Sequence, residues 1–227
     1  MKPNLTIDKL QEEASRFAET ESSYNESTLY GVTDEKAVGT YIEHKFTAYL
    51  TGIYEYKQGN SASGIDLPSL KVDIKTTSIK QPQSSCPFKS ASQKVFGFGY
   101  HLLIFVYEKS DAHENKTGCL NMQHTIFVEK ERTADFQTTK GILGIIERDG
   151  NKDDIIAFIG DRNLPVDEIG AEQLANRILE YPPTQGYLTI SNALQWRLQY
   201  SKVIQEAGTI SGLSIENSMN NGYKIYR

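Results

Sequence analysis

Apolar residues recur at helical spacing near the start of the chain and crowd into short runs in its middle. Ile7, Leu10, Ala14, Phe17 and Ala18 share one helix face, which predicts an amphipathic helix over Ile7 to Ala18. Residues 22–33 are polar and read as a loop. A second helix is expected from about Asp34 to Leu50, its apolar side made by Ala37, Val38, Tyr41, Ile42, Phe46, Tyr49 and Leu50 and its start capped by Thr33-Asp34-Glu35. Glu43 sits on this helix beside its apolar edge, where an unpaired acid is costly.

Strand patterns follow. Tyr54-Glu55-Tyr56 reads as a short strand, and Asp66 to Thr77 as a longer one reached through a small-residue connection from Gln58 to Gly64. Alternation puts Leu70, Val72 and Ile74 on one face and Lys71, Asp73, Lys75 and Thr77 on the other. Residues 78–90 contain Pro82 and Pro87 and read as an irregular loop, with a helix or turn starting over Ser92 to Phe96. Tyr100 to Tyr107 is the strongest buried strand, able to lie centrally beside the Asp73 strand. Further elements are a strand over His124 to Glu129, a helix over Thr138 to Arg148 and a short strand over Asp154 to Ile159. A helix is expected over Glu168 to Tyr181, stopped by Pro182-Pro183, then two short helices or one broken helix over Thr189 to Gly208. Leu213 to Glu216 and Tyr223 to Tyr226 read as two strands joined by a tight polar turn.

The chemistry lies in the polar face of the middle strand. Asp73-Ile74-Lys75 presents a carboxylate and an ammonium side by side, and Asp66 lies a hairpin's reach upstream. Two carboxylates can hold a hard divalent cation, and a lysine beside it can manage a water or a phosphate oxygen. Asp-x-Lys alone is a weak signal, far more often a solvated strand face with an exposed ion pair. Its setting adds weight: a helix carrying Glu43 precedes it and a buried strand follows it.

In that order, Glu43, Asp66, Asp73-Ile74-Lys75 and the buried strand resemble the PD-(D/E)XK nuclease superfamily over roughly residues 34–107, and within it the Type II restriction endonucleases. One departure is Ile65, where the family often has proline before its first acid. The resemblance implies an α/β fold with a mixed central sheet flanked by helices. It also implies Mg²⁺-dependent, sequence-specific hydrolysis of double-stranded DNA that leaves 5′-phosphate ends. Asp66, Asp73 and the carbonyl of Ile74 would hold the metal, Lys75 would act on the water and on transition-state charge, and Glu43 would support a second metal or hold Lys75; a plain ion pair of Glu43 with a nearby lysine stays open.

Composition bears on DNA binding. The chain has 227 residues and a net charge of -5, so it is not basic overall. Between Leu70 and Tyr100, however, Lys71, Lys75, Lys80, Lys89 and Lys94 face one acid, Asp73. Thr76, Thr77, Ser78, Lys89, Gln93 and Lys94 are candidate DNA contacts; a polar strand end and a solvated loop are the plainer readings. The C-terminal succession of helix and hairpin looks like a winged helix, dividing the chain into a nuclease core (1–164) and a DNA-reading subdomain (165–227). Ser201, Lys202, Gln205 and Lys224 would touch DNA, although acids and bases are balanced there and a packed helical appendage fits as well.

Cys86 and Cys119 have no metal-ligand spacing and read as reduced thiols of a cytoplasmic protein. No leader peptide or membrane-spanning run is evident. A homodimer is expected, since one Asp…Asp-x-Lys set cuts one strand. A companion DNA methyltransferase would not be visible in this chain. Two rivals remain: a structure-selective repair or recombination nuclease, and a non-catalytic winged-helix DNA-binding regulator.

Overall fold

The computed structural model describes residues 2–57, 59, 64–85, 90–191 and 197–218. Helix α1 (Ile7–Ser22) starts where the Thr6 hydroxyl accepts from the Lys9 N–H, and helix α2 (Glu35–Ile53) where the Asp34 carboxylate accepts from the Lys36 N–H. Each buries one stripe: Leu10, Ala14, Phe17 and Ala18 on α1, and Val38, Ile42, Phe46 and Leu50, four residues apart, on α2.

The central sheet has five strands in the order β1 (Asn25–Glu26), β5 (Thr117–Val128), β4 (His101–Ala112), β2 (Val72–Ser78), with β8 (Leu213–Ser218) also pairing with β5. Strand β2 runs parallel to β4, Asp73 opposite Leu102, and β4 and β5 form a long antiparallel hairpin. The apolar strand thus lies beside the Asp73 strand as expected.

Both faces of this sheet are covered. Val72, Ile74, Leu103, Phe105 and Tyr107 pack with α1 and α2. Leu102, Ile104 and Val106 point the other way and pack with Leu198, Tyr200 and Val203. Leu198 belongs to a second, three-stranded sheet, β3 (Gln83–Ser85), β7 (Arg197–Gln199), β6 (Thr189–Ile190), Val203 to helix α7 (Ser201–Glu206), and Tyr200 joins the two. A third cluster joins helices α3 (Ala91–Phe96), α4 (Phe136–Glu147), α5 (Lys152–Asp161) and α6 (Glu168–Glu180). Cover on both faces is why the middle strands read as apolar runs rather than as clean alternation.

Several elements differ from expectation. Residues 154–159 are helix, not strand: Asn151 caps Asp153 and Asp154, Asp154 returns the bond to the Asn151 N–H, and that box starts α5. Residues 78–90 are not wholly irregular, because β3 pairs with β7. Among the described residues, Thr189 to Gly208 begins with strand β6 and closes with β7 and one helix, α7, in place of the two short helices or one broken helix expected. Tyr54 to Tyr56 forms a single bridge, Asn4 with Glu55. The strand expected from Asp66 begins at Val72, because residues 67–72 make a tight turn. Leu213 to Glu216 is a strand, but it extends the central sheet through β5; Tyr223 to Tyr226 lies outside the described residues.

Candidate active site

The site is built at the open edge of β2. Leu67 and Val72 exchange main-chain hydrogen bonds at 2.9 and 3.2 Å, and Lys71 takes a positive φ of 53° to close the turn. Leu67 is fully buried and anchors the turn, so Asp66 is delivered to the strand's outer edge. There its Oδ2 accepts a hydrogen bond from the Ile74 N–H at 2.7 Å. On the far side the Asp66 carbonyl accepts from the Gly59 N–H at 2.8 Å. A Cβ at Gly59 would lie 2.1 Å from the Ile65 carbonyl oxygen, so only glycine allows this approach.

The direction of the Ile74 carbonyl follows. In a strand, the N–H and C=O of one residue point to the same side. Val72 bonds outward to Leu67 through both groups, and Ile74, two residues on, sends its N–H outward to Asp66. The Ile74 carbonyl therefore also faces the edge where Asp66 sits.

Asp73 points to the opposite face from Val72 and Ile74, toward the second core, and is only 4 % exposed. The Lys75 ammonium lies 2.7 Å from Asp73 Oδ2. That contact is poorly directed for a hydrogen bond, so this buried oxygen has no properly aimed donor. Burial pushes the Asp73 carboxyl up from its usual 3.8 to about 7; Lys75 opposes the shift and Asp66 adds to it. Glu43, from α2, is pushed up from 4.5 to about 7, first by burial and then by the Asp66 charge. Glu43, Asp66, Asp73 and Lys75 line one cleft of about 880 Å³.

Two carboxylates and a main-chain carbonyl suit a hard divalent cation, and the undonated Asp73 oxygen is the acceptor such an ion would satisfy. Among the described residues, no group of three or more His, Cys, Asp or Glu side chains is gathered as a ligand set. Glu43 therefore lines the cleft without completing a three-carboxylate cage, and Lys75 pairs with Asp73 rather than with Glu43.

The structure disposes of the other candidates unevenly. Thr77 is buried and its hydroxyl reaches the Gln83 carbonyl at 3.2 Å, which ties β2 to β3. Ser78 is buried too, its Oγ accepting from the Lys80 N–H at 3.3 Å. Lys94 is 4 % exposed, on the inner side of α3. These three are placed for structure, not for reaching a duplex. The Thr76 hydroxyl is buried without a partner and Gln93 is half-buried. Ser201 and Gln205 are exposed, and Lys202 is paired with Glu206 at 2.6 Å. Lys89 and Lys224 lie outside the described residues. His44 and Thr47, not among the sequence candidates, line the same cleft; for Thr47 the clue was its position one helical turn from Glu43, while His44, next to Glu43, gave none.

A mixed sheet between helices, with two aspartates and a lysine at an edge strand, is the architecture of a metal-dependent endonuclease, and comparison with known proteins gives the class: this is a Type II restriction endonuclease. The chain belongs to the Type II restriction enzyme NspV family, whose model matches residues 4–215. It is 64 % identical over 209 residues to the Type II restriction enzyme NspV of Nostoc sp. (strain ATCC 29411 / PCC 7524), a match covering 92 % of this chain and 95 % of that one. No solved structure matches it. The repair-nuclease and regulator readings are thereby set aside. No described helix is long and apolar enough to cross a membrane.

Proposed function

We propose that the chain hydrolyses double-stranded DNA at one short sequence, leaving 5′-phosphate and 3′-hydroxyl ends, with Mg²⁺ held by Asp66, Asp73 and the Ile74 carbonyl. The carrying observation is the convergence of Glu43, Asp66, Asp73 and Lys75 on one cleft. When bound, Mg²⁺ lowers the pKa of a water and neutralises charge on the phosphate.

The chain's own residues do the remaining work. Asp66 is held in place by the Ile74 N–H, so its other oxygen is left for a ligand without further ordering. Asp73 is drawn to its ionised form by the Lys75 ammonium, against a burial that favours the proton. Lys75, with its side chain 20 % exposed at the cleft, reaches both Asp73 and the space a phosphate enters. There it orients the attacking water and stabilises the charge that builds on the phosphorane. Glu43, poised near neutrality, is placed to accept a proton or to support a second cation.

A homodimer would bring two such clefts to the two strands of a symmetric site. A companion methyltransferase would protect the host's own sites, and a cytoplasmic location suits both partners. The division at residue 164 and a separate winged helix have less behind them, since β8 belongs to the central sheet. A DNA contact from Ser201, Lys202 and Gln205 is kept as part of the core's own surface.

Digestion of a long duplex of known sequence with Mg²⁺, followed by sequencing of the fragment ends, tests the reading. Discrete bands with 5′-phosphate ends are expected, and Lys75→Ala and Asp73→Ala should bind duplex without cutting. A wild-type protein that binds duplex yet never cuts with Mg²⁺ or Mn²⁺ overturns it.

A further inference from the structure

The charge in the cleft presents a problem that α2 answers. Three carboxylates, Glu43, Asp66 and Asp73, face one ammonium, Lys75, which already sits against Asp73. A DNA strand adds one negative charge per phosphate. A cation held by Asp66 and Asp73 would offset charge at the reacting phosphorus, yet the strand must also be held beside it. Among the described residues lining the cleft, only Lys75 and His44 carry side-chain nitrogen donors.

His44 follows Glu43 on α2 and projects at the cleft's rim, where it is exposed. It has no hydrogen-bond, ion-pair or ring partner among the described residues. The helix beneath it is fixed: Ile42 and Phe46 on either side are fully buried. Thr47, one turn from Glu43, lines the same wall, and Ala48, one turn from His44, is small enough to let a backbone approach. A rigid helix thus holds an unused donor over the same cleft as the two aspartates.

We propose that His44 donates a hydrogen bond to a non-bridging oxygen of a DNA phosphate in the cleft, fixing the strand so that the scissile phosphate meets Lys75. His44 is then a substrate-binding residue, and the contact rests on the proposed hydrolysis at this same cleft. One hydrogen bond to a charged phosphate is worth roughly ten- to a hundredfold in kcat/KM.

The test is a chemical cycle on the full-length enzyme. The cleavage site is first mapped on a long duplex. Synthetic duplexes carrying that site are then made with single phosphates replaced, one at a time, by neutral methylphosphonates, and are cut by wild type, His44→Ala and His44→Gln. Wild type should lose roughly ten- to a hundredfold at one phosphate flanking the cut. His44→Ala should show that loss on the unmodified duplex and little more on the modified one, while His44→Gln, which keeps a donor, recovers part of it. If His44→Ala cuts like wild type, or is as sensitive as wild type at every phosphate, the contact does not exist. If His44→Ala loses its helical circular dichroism, His44→Leu, which has no donor and favours helix, decides by the same criterion. A wild type that does not cut any duplex would instead refute the hydrolysis on which the contact rests.

Discussion

Asp66 Oδ2 and the main-chain N–H of Ile74 are joined by a 2.7 Å hydrogen bond across the open edge of β2. Through it, the first acid is registered against Ile74, eight residues later, in the strand that carries Asp73 and Lys75. The bond uses one carboxylate oxygen, and in the proposed mechanism the other is the one that meets a ligand.

This double use predicts a separation of stability from activity. Asp66→Asn keeps an oxygen for the Ile74 N–H but loses the charge. It should unfold at nearly the wild-type temperature while cleavage falls by on the order of a hundredfold or more. Asp66→Ala should add a stability loss of about 1 kcal/mol. Thermal unfolding and single-turnover cleavage, run on the same preparations, separate the two effects.

Lys75 is the only cation in the cleft among the described residues. Lys75→Ala should lower single-turnover cleavage by on the order of a hundredfold or more. It also strips Asp73 of the charge that favours its ionised form, so residual activity should shift to higher pH. An unchanged pH profile would mean that the pair is not coupled in solution.

The stability of the metal-free enzyme should fall as pH rises from about 4 to about 7. Asp73 and Glu43 both have folded-state pKa values raised to about 7 from 3.8 and 4.5. In that window the folded chain holds protons that the unfolded chain has released, so raising the pH favours unfolding until both acids have ionised. Asp73→Asn should flatten part of the slope. Added Mg²⁺ should act with the opposite trend, stabilising more as pH rises, because it must displace those protons. Thermal melts in chelator and in Mg²⁺ across this range measure both trends.

Asp135 makes a second prediction about stability, away from the cleft. Its Oδ1 accepts from the Thr138 N–H and hydroxyl, and its Oδ2 from the Ile190 N–H at 2.8 Å, all buried. It thus caps α4 and ties β6 to that helix. Asp135→Ala should cost roughly 2–4 kcal/mol in denaturant unfolding, since it strands several buried donors.

The sequence by itself determined the class of protein and the main frame. Helices α1 and α2 and strand β4 were legible because each buries a continuous stripe or run, and hydrophobic spacing reports that directly. Asp66, Asp73 and Lys75 were legible as candidates because a helix with Glu43 precedes them and a buried strand follows, and the structure brings all three to one cleft. Tertiary structure decided the rest. The apolar run from Ile155 to Ile159 suits a strand or a helix equally, and the cap at Asn151 settles it. Strands β3, β6 and β7 are two or three residues long, so they exist only because distant segments pair. Thr77, Ser78 and Lys94 look like solvent-facing donors along the chain, yet in the fold all three are buried. The cleft itself is an arrangement in space: a tight turn places Asp66 on Ile74, and a helix registered by Ile42, Phe46 and Leu50 sets Glu43 and His44 opposite. Spacing along the chain names which groups are present, whereas packing and hydrogen bonding fix which of them meet.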